Sequence, residues 1–256
     1  MAINYIYYDE IDSTNNEIKR QLANDLPEFT VISAGAQTGG RGRSGHDWIS
    51  PKGVSVSTSM VLYPREVSMQ AIPRLTLIAA VAMAEALEQL YGLQTQIKWP
   101  NDILVSDKKI CGILTELSTK DNHVDNVVVG IGVNVHNRQF SEEICHMATS
   151  VDLALEQEKK STADVHCKEL TEKIWECFLP HYKEFLKRED LSEVLEFYNE
   201  RLVNKNRIVN VLDPKGAYEA VAKEMLPTGE LLVEANGEQI KIDSGEVSVR
   251  GIYGYV

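Results

Sequence analysis

The sequence predicts an α+β fold in which a mixed β-sheet with packed helices is followed by a small β-barrel-like module. Up to about residue 204, strand-like runs alternate with long stretches of helical spacing. Beyond that point, short strand-like runs are separated by regular turn signals, a pattern typical of a small barrel. A chain of 256 residues, 43% of them hydrophobic, is long enough to bury a full-sized core. We therefore predict two domains, residues 1–204 and residues 205–256.

The chain opens with a predicted strand, residues 3–9, and a predicted helix. Thr14 and Glu17 form a capping-box pattern, and apolar residues then recur at four-residue intervals. Helix capping alone is sufficient to account for Ser13 and Thr14. A functional interpretation adds that a helix N-terminus leaves N–H donors beside these two hydroxyls, where a polar ligand group could bind.

A glycine- and arginine-rich loop, residues 37–48, follows the second predicted strand at residues 30–36. The segment Gly40–Gly45 contains three glycines and two arginines. Glycine lets backbone N–H groups approach a ligand, and Arg41 and Arg43 bring permanent positive charge. The pattern favours an anion such as a phosphate. The alternative is a mobile surface loop with solvated charges.

The same loop matches the dinucleotide fingerprint Gly-x-Gly-x-x-Gly by its letters, but we reject that interpretation. The fingerprint opens directly into a helix, whereas residues 46–53 contain turn formers and have no helical period. The phosphate loop of nucleotide hydrolases ends in Gly-Lys-Ser/Thr. That ending is absent from the sequence.

Two long elements follow the loop. Residues 54–62 alternate in the manner of a half-buried strand. Pro73 precedes a long amphipathic helix, whose apolar stripe runs from Leu75 to Leu90 and needs only a sheet to pack against. We assign no chemistry to this helix.

The segment Lys98–Asp102 ends one predicted strand and begins the next, at residues 103–105. Pro100 prevents continuous pairing there, so Asn101 and Asp102 can be displayed at a bend rather than absorbed into the sheet. The sequence therefore predicts that this bend presents polar side chains.

Lys109 precedes a predicted strand at residues 110–117, and its simplest interpretation is a solvated turn lysine. Asn134 lies near the end of the apolar run at residues 127–135. A polar side chain in a buried strand must find hydrogen-bond partners. Asn134 is therefore either a structural bridge or a ligand contact.

Residues 141–202 show helical signals, with His181 at the edge of an apolar stripe. Cys177 and His181 could share one face of that helix, but a single pair is weak evidence for zinc, and burial in the core is favoured. The sequence has four cysteines and no Cys-x-x-Cys, which indicates free thiols in a reducing compartment.

Charge and composition exclude several classes of partner. A net charge of −12 opposes non-specific binding to nucleic acid and to anionic membranes. The first residues lack the features of a signal peptide, and we find no apolar run of bilayer length. We expect a cytoplasmic protein without DNA or membrane partners.

The order of these motifs is more specific than any one of them. Nearly the whole chain resembles the biotin–protein ligases, in the short form without an N-terminal DNA-binding domain. The residues that carry the resemblance are Ser13–Asn15, Gly40–Gly45 with Trp48, Lys98–Asp102, Lys109–Leu114, Gly130–Asn134 and Gly245–Arg250. The glycine-arginine loop and the Lys-Trp-Pro-Asn-Asp segment are the most specific of them.

This resemblance implies a class II synthetase-like catalytic domain, the biotin–lipoate ligase fold, with a small SH3-like β-barrel at the C-terminus. It also implies a two-step reaction. ATP and biotin, with Mg²⁺, would give biotinyl-5′-AMP and pyrophosphate. The biotinyl group would then pass to a lysine of a biotin carboxyl carrier domain, usually that of acetyl-CoA carboxylase.

The resemblance also implies roles for individual residues. The biotin-contacting set would be Ser13, Thr14, Asn15, Gln37, Gly40, Arg41, Gly42, Arg43, Lys109 and Gly112. The nucleotide-handling set would be Trp48, Lys98, Asn101, Asn134 and Arg250. Asp102 would hold Mg²⁺ directly or through water. Arg43, Lys98 and Lys109 would be catalytic, because preorganised cations lower the barrier between two anionic reactants.

Two departures and two alternatives accompany the resemblance. His46 stands where the family often has an arginine, and the first predicted strand begins at Ile3, so we expect no helix-turn-helix before it.

One alternative is a lipoate or octanoate ligase or transferase of the same fold, which would favour an apolar acyl slot. The other is a non-catalytic biotin or nucleotide sensor, against which Lys98 and Asp102 count. We expect a homodimer or a weakly dimerising monomer.

Overall fold

A computed structural model describes residues 2–213, 216–244 and 248–251, apart from the side chains of residues 44 and 248–251. Its main feature is a seven-stranded sheet. The strands are β1 (Asn4–Tyr8), β2 (Thr30–Ala34), β3 (Ser55–Leu62), β4 (Thr95–Lys98), β5 (Asp102–Val105), β6 (Lys108–Lys120) and β7 (His123–Asn134).

The sheet is mixed, as the sequence predicts. Its strand order is β1-β2-β3-β7-β6-β5-β4. β1 pairs in parallel with β2, and every other pairing in this sheet is antiparallel. The long strands β6 and β7 therefore lie near the centre of the sheet. The bend after Lys98 is the turn between β4 and β5, where Lys98 faces Asp102 in the register.

Helices cover both faces of the sheet. They are α1 (Thr14–Gln21), α2 (Arg74–Tyr91), α3 (Val151–Gln157), α4 (Cys167–Arg188) and α5 (Leu195–Arg201). The predicted helix after Pro73 is confirmed as α2, and it ends at Gly92, whose φ of 62° is the left-handed cap that favours glycine. The helical signals over residues 141–202 correspond to three shorter helices, α3 to α5.

The prediction that β3 is half-buried is wrong, because all eight of its residues are buried. On one face, Ser59 contacts Thr14 and Asn15 of α1. On the other, the Trp175 Nε1 of α4 donates to Thr58 Oγ1 at 2.9 Å. Polar side chains therefore lie on both faces of β3, and neither face meets solvent.

The start of α1 differs from the predicted capping box by one residue. Ser13 is the N-cap, and its hydroxyl accepts from the backbone N–H of Asn16. Glu17 does not reach back to the helix start, because its carboxylate binds Arg20, Tyr8 and Gln21. Thr14 is consequently released from capping.

One segment of the described chain, Met69–Tyr91, is long and apolar enough to cross a bilayer, with a mean hydropathy of 1.3. The sequence prediction overlooked it. In the most apolar stretch of 18 residues within it, 72% is buried, and Leu75, Ile78 and Met83 all lie in the core. α2 is therefore the central helix of the hydrophobic core, a position that requires the same apolar composition as a membrane span.

The C-terminal part forms a second, smaller sheet, as predicted. Its strands are β8 (Ile208–Leu212), β9 (Tyr218–Met225), β10 (Leu231–Ala235), β11 (Glu238–Ile242) and β12 (Ser248–Gly251). They pair antiparallel in the order β11-β10-β9-β8-β12. The residues of the terminal motif at 245–247 lie outside the described residues.

The turn between β9 and β10 joins the two sheets. The Trp99 Nε1 donates to the Gly229 carbonyl at 3.1 Å, and the Arg74 Nε donates to the Thr228 carbonyl at 2.8 Å. The main cluster of buried apolar side chains continues from α2 and α4 into the small sheet at Val209 and Val211. The small sheet is thus anchored beside the β4–β5 turn.

Candidate functional site

A cleft lies over the centre of the large sheet and is built from segments far apart in the chain. Including its open mouth and the solvent there, the space between the lining residues is about 580 Å³. Its lining residues are Ser13, Thr14, Asn15, Asn16, Gln37, Arg41, Gly42, Arg43, Trp48, Asn101, Lys109, Gly112, Ile113, Leu114, Glu116, Gly130, Ile131 and Gly132.

Most of the residues predicted to bind a ligand therefore lie together. Of the predicted biotin-contacting set, only Gly40 is outside the lining. A Cβ at this position would overlap the Trp48 carbonyl and lie 2.9 Å from Gln37 Nε2. Gly40 thus allows two strands of the loop to pass closely. The loop is a short hairpin in which the Trp48 N–H donates to the Gly40 carbonyl at 2.9 Å.

The floor of the cleft is a chain of buried polar groups. The Thr14 backbone N–H donates to Gln37 Oε1 at 2.8 Å, and Thr14 Oγ1 lies 3.1 Å from the same oxygen. Ser59 Oγ lies 2.6 Å from both Thr14 Oγ1 and Asn15 Oδ1. Ser59 is fully buried, and Thr14 and Asn15 are about 5% exposed. Such a floor suits a neutral polar ligand group, since buried polar atoms need partners.

Glu116 extends this chain to the rim of the cleft. The Asn15 Nδ2 donates to Glu116 Oε2 at 2.7 Å. The other carboxylate oxygen of Glu116 accepts from Lys19 Nζ at 2.6 Å. Both oxygens of this carboxylate are therefore occupied by donors.

Lys109 is not a solvated turn lysine. Its Nζ forms an ion pair with Asp102 Oδ1 at 2.6 Å and lies 5.7 Å from the centre of the Trp48 ring. The lysine side chain is 26% exposed. It therefore crosses the cleft between the β4–β5 turn and the glycine-arginine loop.

Arg43 connects the glycine-arginine loop to the small sheet. Its Nη2 donates to the Ser244 carbonyl, 201 positions later in the chain. Burial lowers the pKa of the Arg43 guanidinium, against the opposing effect of Asp102 and Asp243. Because an arginine stays protonated in proteins, Arg43 remains a partly buried cation at the cleft.

Trp48 packs against the floor of the cleft at two glycines. A Cβ at Gly112 would lie 3.2 Å from Trp48 Cζ3, and one at Gly132 would lie 2.5 Å from Trp48 Cε2. The buried Trp48 Nε1 has no hydrogen-bond partner among the described residues. Gly112 and Gly132 thus let the flat Trp48 indole lie close against the sheet.

Three other predicted residues lie outside the lining. Lys98 and Asp102, both less than 10% exposed, flank the β4–β5 turn next to Asn101, whose Nδ2 donates to Asp102 Oδ1 at 3.2 Å. The Asn134 Nδ2 donates to the Thr149 carbonyl at 3.1 Å, so this side chain connects β7 to the segment that precedes α3. Arg250 belongs to β12, but its side chain lies outside the described residues.

Ser59 and Glu116 are the contributors that the sequence did not reveal. Ser55, Ser57 and Ser59 alternate along β3, and this alternation was the available signal for a polar face. Glu116 lies in β6, seven positions after Lys109, and could be found only once the pairing of β6 with β7 and the position of α1 were known.

The donor set can be compared with what Mg²⁺ requires. Within the described residues, no group of three or more His, Cys, Asp or Glu side chains could hold a metal ion. Asp102 supplies one carboxylate, which it shares with Lys109. Mg²⁺ commonly binds through one or two carboxylates plus substrate phosphates and water. The single carboxylate of Asp102 therefore fits an ion that arrives bound to a nucleotide.

Comparisons with known proteins identify the class. Residues 7–134 match the Biotin/lipoate A/B protein ligase family, and this chain belongs to that family. The matched region runs from the end of β1 to the end of β7 and includes every lining residue of the cleft.

Individual relatives are consistent with this assignment. The bifunctional ligase/repressor BirA of Bacillus subtilis (strain 168) is 39% identical over 188 residues, which are 73% of this chain and 56% of the relative. The biotin–[acetyl-CoA-carboxylase] ligase of Mycobacterium tuberculosis is 27% identical over 92% of this chain and 85% of its own. The chain thus spans little more than half the length of the Bacillus relative.

A solved structure is similar over the full length. The biotin protein ligase from Aquifex aeolicus, in complex with biotin and ATP, superposes with a TM-score of 0.82 and 30% identity, covering 97% of this chain and 99% of the other. The similarity includes both sheets.

Proposed function

We propose that this chain is an ATP-dependent biotin–protein ligase. In the first step a carboxylate oxygen of biotin attacks the α-phosphorus of ATP, the bond to the bridging oxygen breaks, and pyrophosphate leaves. In the second step the amine of a carrier lysine attacks the acyl carbon of biotinyl-5′-AMP and AMP leaves. The carrier is a biotin carboxyl carrier domain, which agrees with the acetyl-CoA carboxylase specificity named for the Mycobacterium relative.

The proposal rests on the observation that neutral polar groups and cations line the same cleft. Polar neutral groups form the floor around Thr14 and Gln37, and cations from two segments, Arg43 and Lys109, line the same space. Two anionic reactants repel each other, and fixed cations in a partly buried site reduce that repulsion without reorganising. Such a site can bind the ureido ring at its floor and hold the carboxylate and phosphate near its cations.

The floor also distinguishes biotin from lipoate. The ureido ring of biotin has N–H donors and a carbonyl acceptor, whereas the dithiolane ring of lipoate has neither. Burying lipoate against Thr14 and Gln37 would leave their polar atoms without ligand partners, at a cost of about 1–3 kcal/mol each. The described contacts therefore favour biotin.

The nucleotide would lie toward the β4–β5 turn and the small sheet. We assign the phosphates to Lys98 and Arg43, and Mg²⁺ that arrives with ATP to Asp102. Trp48, Asn101, Asn134 and Arg250 remain the nucleotide-handling set on the basis of the resemblance. Mg²⁺ would neutralise phosphate charge, while Lys109 holds Asp102 in place at 2.6 Å before the nucleotide binds.

We further propose that residues 1–204 form the catalytic unit and residues 205–256 close over the nucleotide. The contact from Arg43 to the Ser244 carbonyl supports this division, because it places the small sheet beside the glycine-arginine loop. A loop closed in this way would exclude water from the hydrolysable adenylate. A cytoplasmic location and a homodimer remain expectations.

One assay tests the proposal. The protein is incubated with ATP, Mg²⁺, a purified carrier domain and either biotin or lipoate, and the mass of the carrier is measured. A carrier whose acceptor lysine is changed to arginine is the control. Biotin-dependent mass gain on the native carrier alone is expected. Addition of lipoate would support the lipoate ligase, and tight biotin binding without any transfer would support the sensor.

A further inference from the structure

The polar chain on the floor of the cleft has a direction, because each member has a fixed number of protons. A carboxylate only accepts, a hydroxyl donates once, and an amide NH₂ only donates. Glu116 lies at one end of this chain, and Thr14 and Gln37 lie at the other. The contacts between these ends determine which atoms can accept a bond from a ligand.

Glu116 determines the orientation of the Asn15 amide. The Lys19 ammonium lies 2.6 Å from Oε1 of this carboxylate, and Oε2 faces Asn15 at 2.7 Å. Only the NH₂ group of Asn15 can face a carboxylate. Its Oδ1 must then face Ser59, 2.6 Å away.

Ser59 therefore donates its single proton to Asn15. Its oxygen lies equally close, at 2.6 Å, to Thr14 Oγ1, and a proton must lie between two oxygens at that distance. Since the proton of Ser59 is already used, Thr14 must supply it. Thr14 then has no proton left for Gln37.

Two acceptors consequently face each other at the ligand end. Gln37 Oε1 is oriented by the Thr14 backbone N–H at 2.8 Å, and it lies 3.1 Å from Thr14 Oγ1. Both residues line the cleft. An N–H group of a ligand placed against these two oxygens would satisfy both.

We propose that Glu116 is a positioning residue that sets the direction of this hydrogen-bond chain through Asn15 and Ser59, so that Thr14 and Gln37 present acceptors to a ligand N–H donor. The inference rests on the proposed function, in which the donor belongs to the ureido ring of biotin. It also changes the role of Asn15 from a ligand contact to an orienting group.

The test reverses the direction while keeping the ion pair. In the double variant Lys19→Glu with Glu116→Lys, the charges are exchanged, but the side chain at position 116 now only donates. Asn15 must turn its Oδ1 toward it, and the protons of Ser59 and Thr14 then point toward Gln37. The biotin KM should rise roughly 5- to 150-fold, the range for an unsatisfied buried polar group. The ATP KM and the kcat at saturating biotin should stay nearly unchanged.

A third change should restore binding. Asn15→Asp is added to the exchanged pair. One oxygen of the new carboxylate accepts from the ammonium group introduced at position 116, and the other accepts from Ser59. The hydrogen-bond chain then has its original direction. The biotin KM of the triple variant should fall back to near the wild-type value. Lys19→Met alone is the control, because it removes the ion pair and keeps the Asn15–Glu116 bond, so its biotin KM should not change.

Each outcome decides the inference. Wild-type biotin KM in the exchanged pair overturns it, and so does an impaired pair that Asn15→Asp fails to restore, since a purely structural role would give either result. If the exchanged pair does not fold, Asn15→Asp plus Glu116→Gln is compared with Asn15→Leu plus Glu116→Gln. The aspartate still accepts from Ser59 and should keep a biotin KM near wild type, whereas leucine cannot accept and frees the protons of Ser59 and Thr14 to turn toward Gln37, so its KM should rise. Equal KM values would overturn the inference. A wild-type protein without biotin transfer would instead contradict the proposed function.

Discussion

Gly130→Ala should damage the cleft floor through a single methyl group. A Cβ at Gly130 would overlap Asn15 Oδ1 and lie 3.0 Å from Asn15 Cγ. Asn15 cannot yield freely, because Ser59 and Glu116 hold its two amide atoms at 2.6 and 2.7 Å. Overpacking costs about 1–3 kcal/mol, and the two displaced hydrogen bonds cost about 1 kcal/mol each.

The sum, about 3–5 kcal/mol, should lower the thermal midpoint by roughly 6–20 °C for a chain of this size. Thermal unfolding followed by circular dichroism measures this, and calorimetry measures the accompanying loss of biotin affinity. Gly39→Ala is the matched control, since a Cβ there would make an ordinary contact of 3.5 Å with the Asp12 carbonyl. A Gly130→Ala protein that unfolds and binds biotin like the control would refute the reasoning.

Three further predictions concern the charged residues. Lys109→Ala should weaken biotin binding and leave the fold intact. Lys108→Ala, a change at its exposed neighbour, is the control and should leave both the binding and the fold unchanged. Equal biotin affinities of the two variants by calorimetry would remove Lys109 from the site. Arg43→Gly should release the adenylate, measured as biotin on bystander lysines of an added protein, and unchanged retention would contradict a clamp. Burial lowers the pKa of His181, but its bonds to Glu85 and Glu193 outweigh this and raise it above 6.5. Protonation of His181 therefore stabilises the fold below about pH 6.5, and this stabilisation is lost as the pH rises through the raised pKa. The midpoint of thermal unfolding should therefore fall more between pH 6 and 8 for the wild type than for His181→Gln.

The sequence predicted those parts of the fold that depend on local periodicity. The bounds of elements such as β1 and α2 are nearly as expected from the sequence. The half-buried interpretation of β3 was wrong because alternation of polar and apolar residues normally indicates one wet face. Here the polar face is covered by α1 and forms the cleft floor, which is a tertiary effect.

The site was predictable where a motif is contiguous and not where it depends on strand pairing. The glycine-arginine loop and the Lys98–Asp102 segment could be identified from their contiguous sequence motifs. The ion pair of Lys109 with Asp102 requires the register of β5 against β6, and the bond of Glu116 with Asn15 joins residues 101 positions apart. Neither contact has a local signal.

The bond from Arg43 to Ser244 ends on a backbone carbonyl. Any amino acid at position 244 supplies the same acceptor, so substitutions there can accumulate without breaking the contact. Correlated changes between aligned homologues would therefore not reveal it. An insertion or deletion between β11 and β12, which reroutes the main chain, is the kind of change that would remove it.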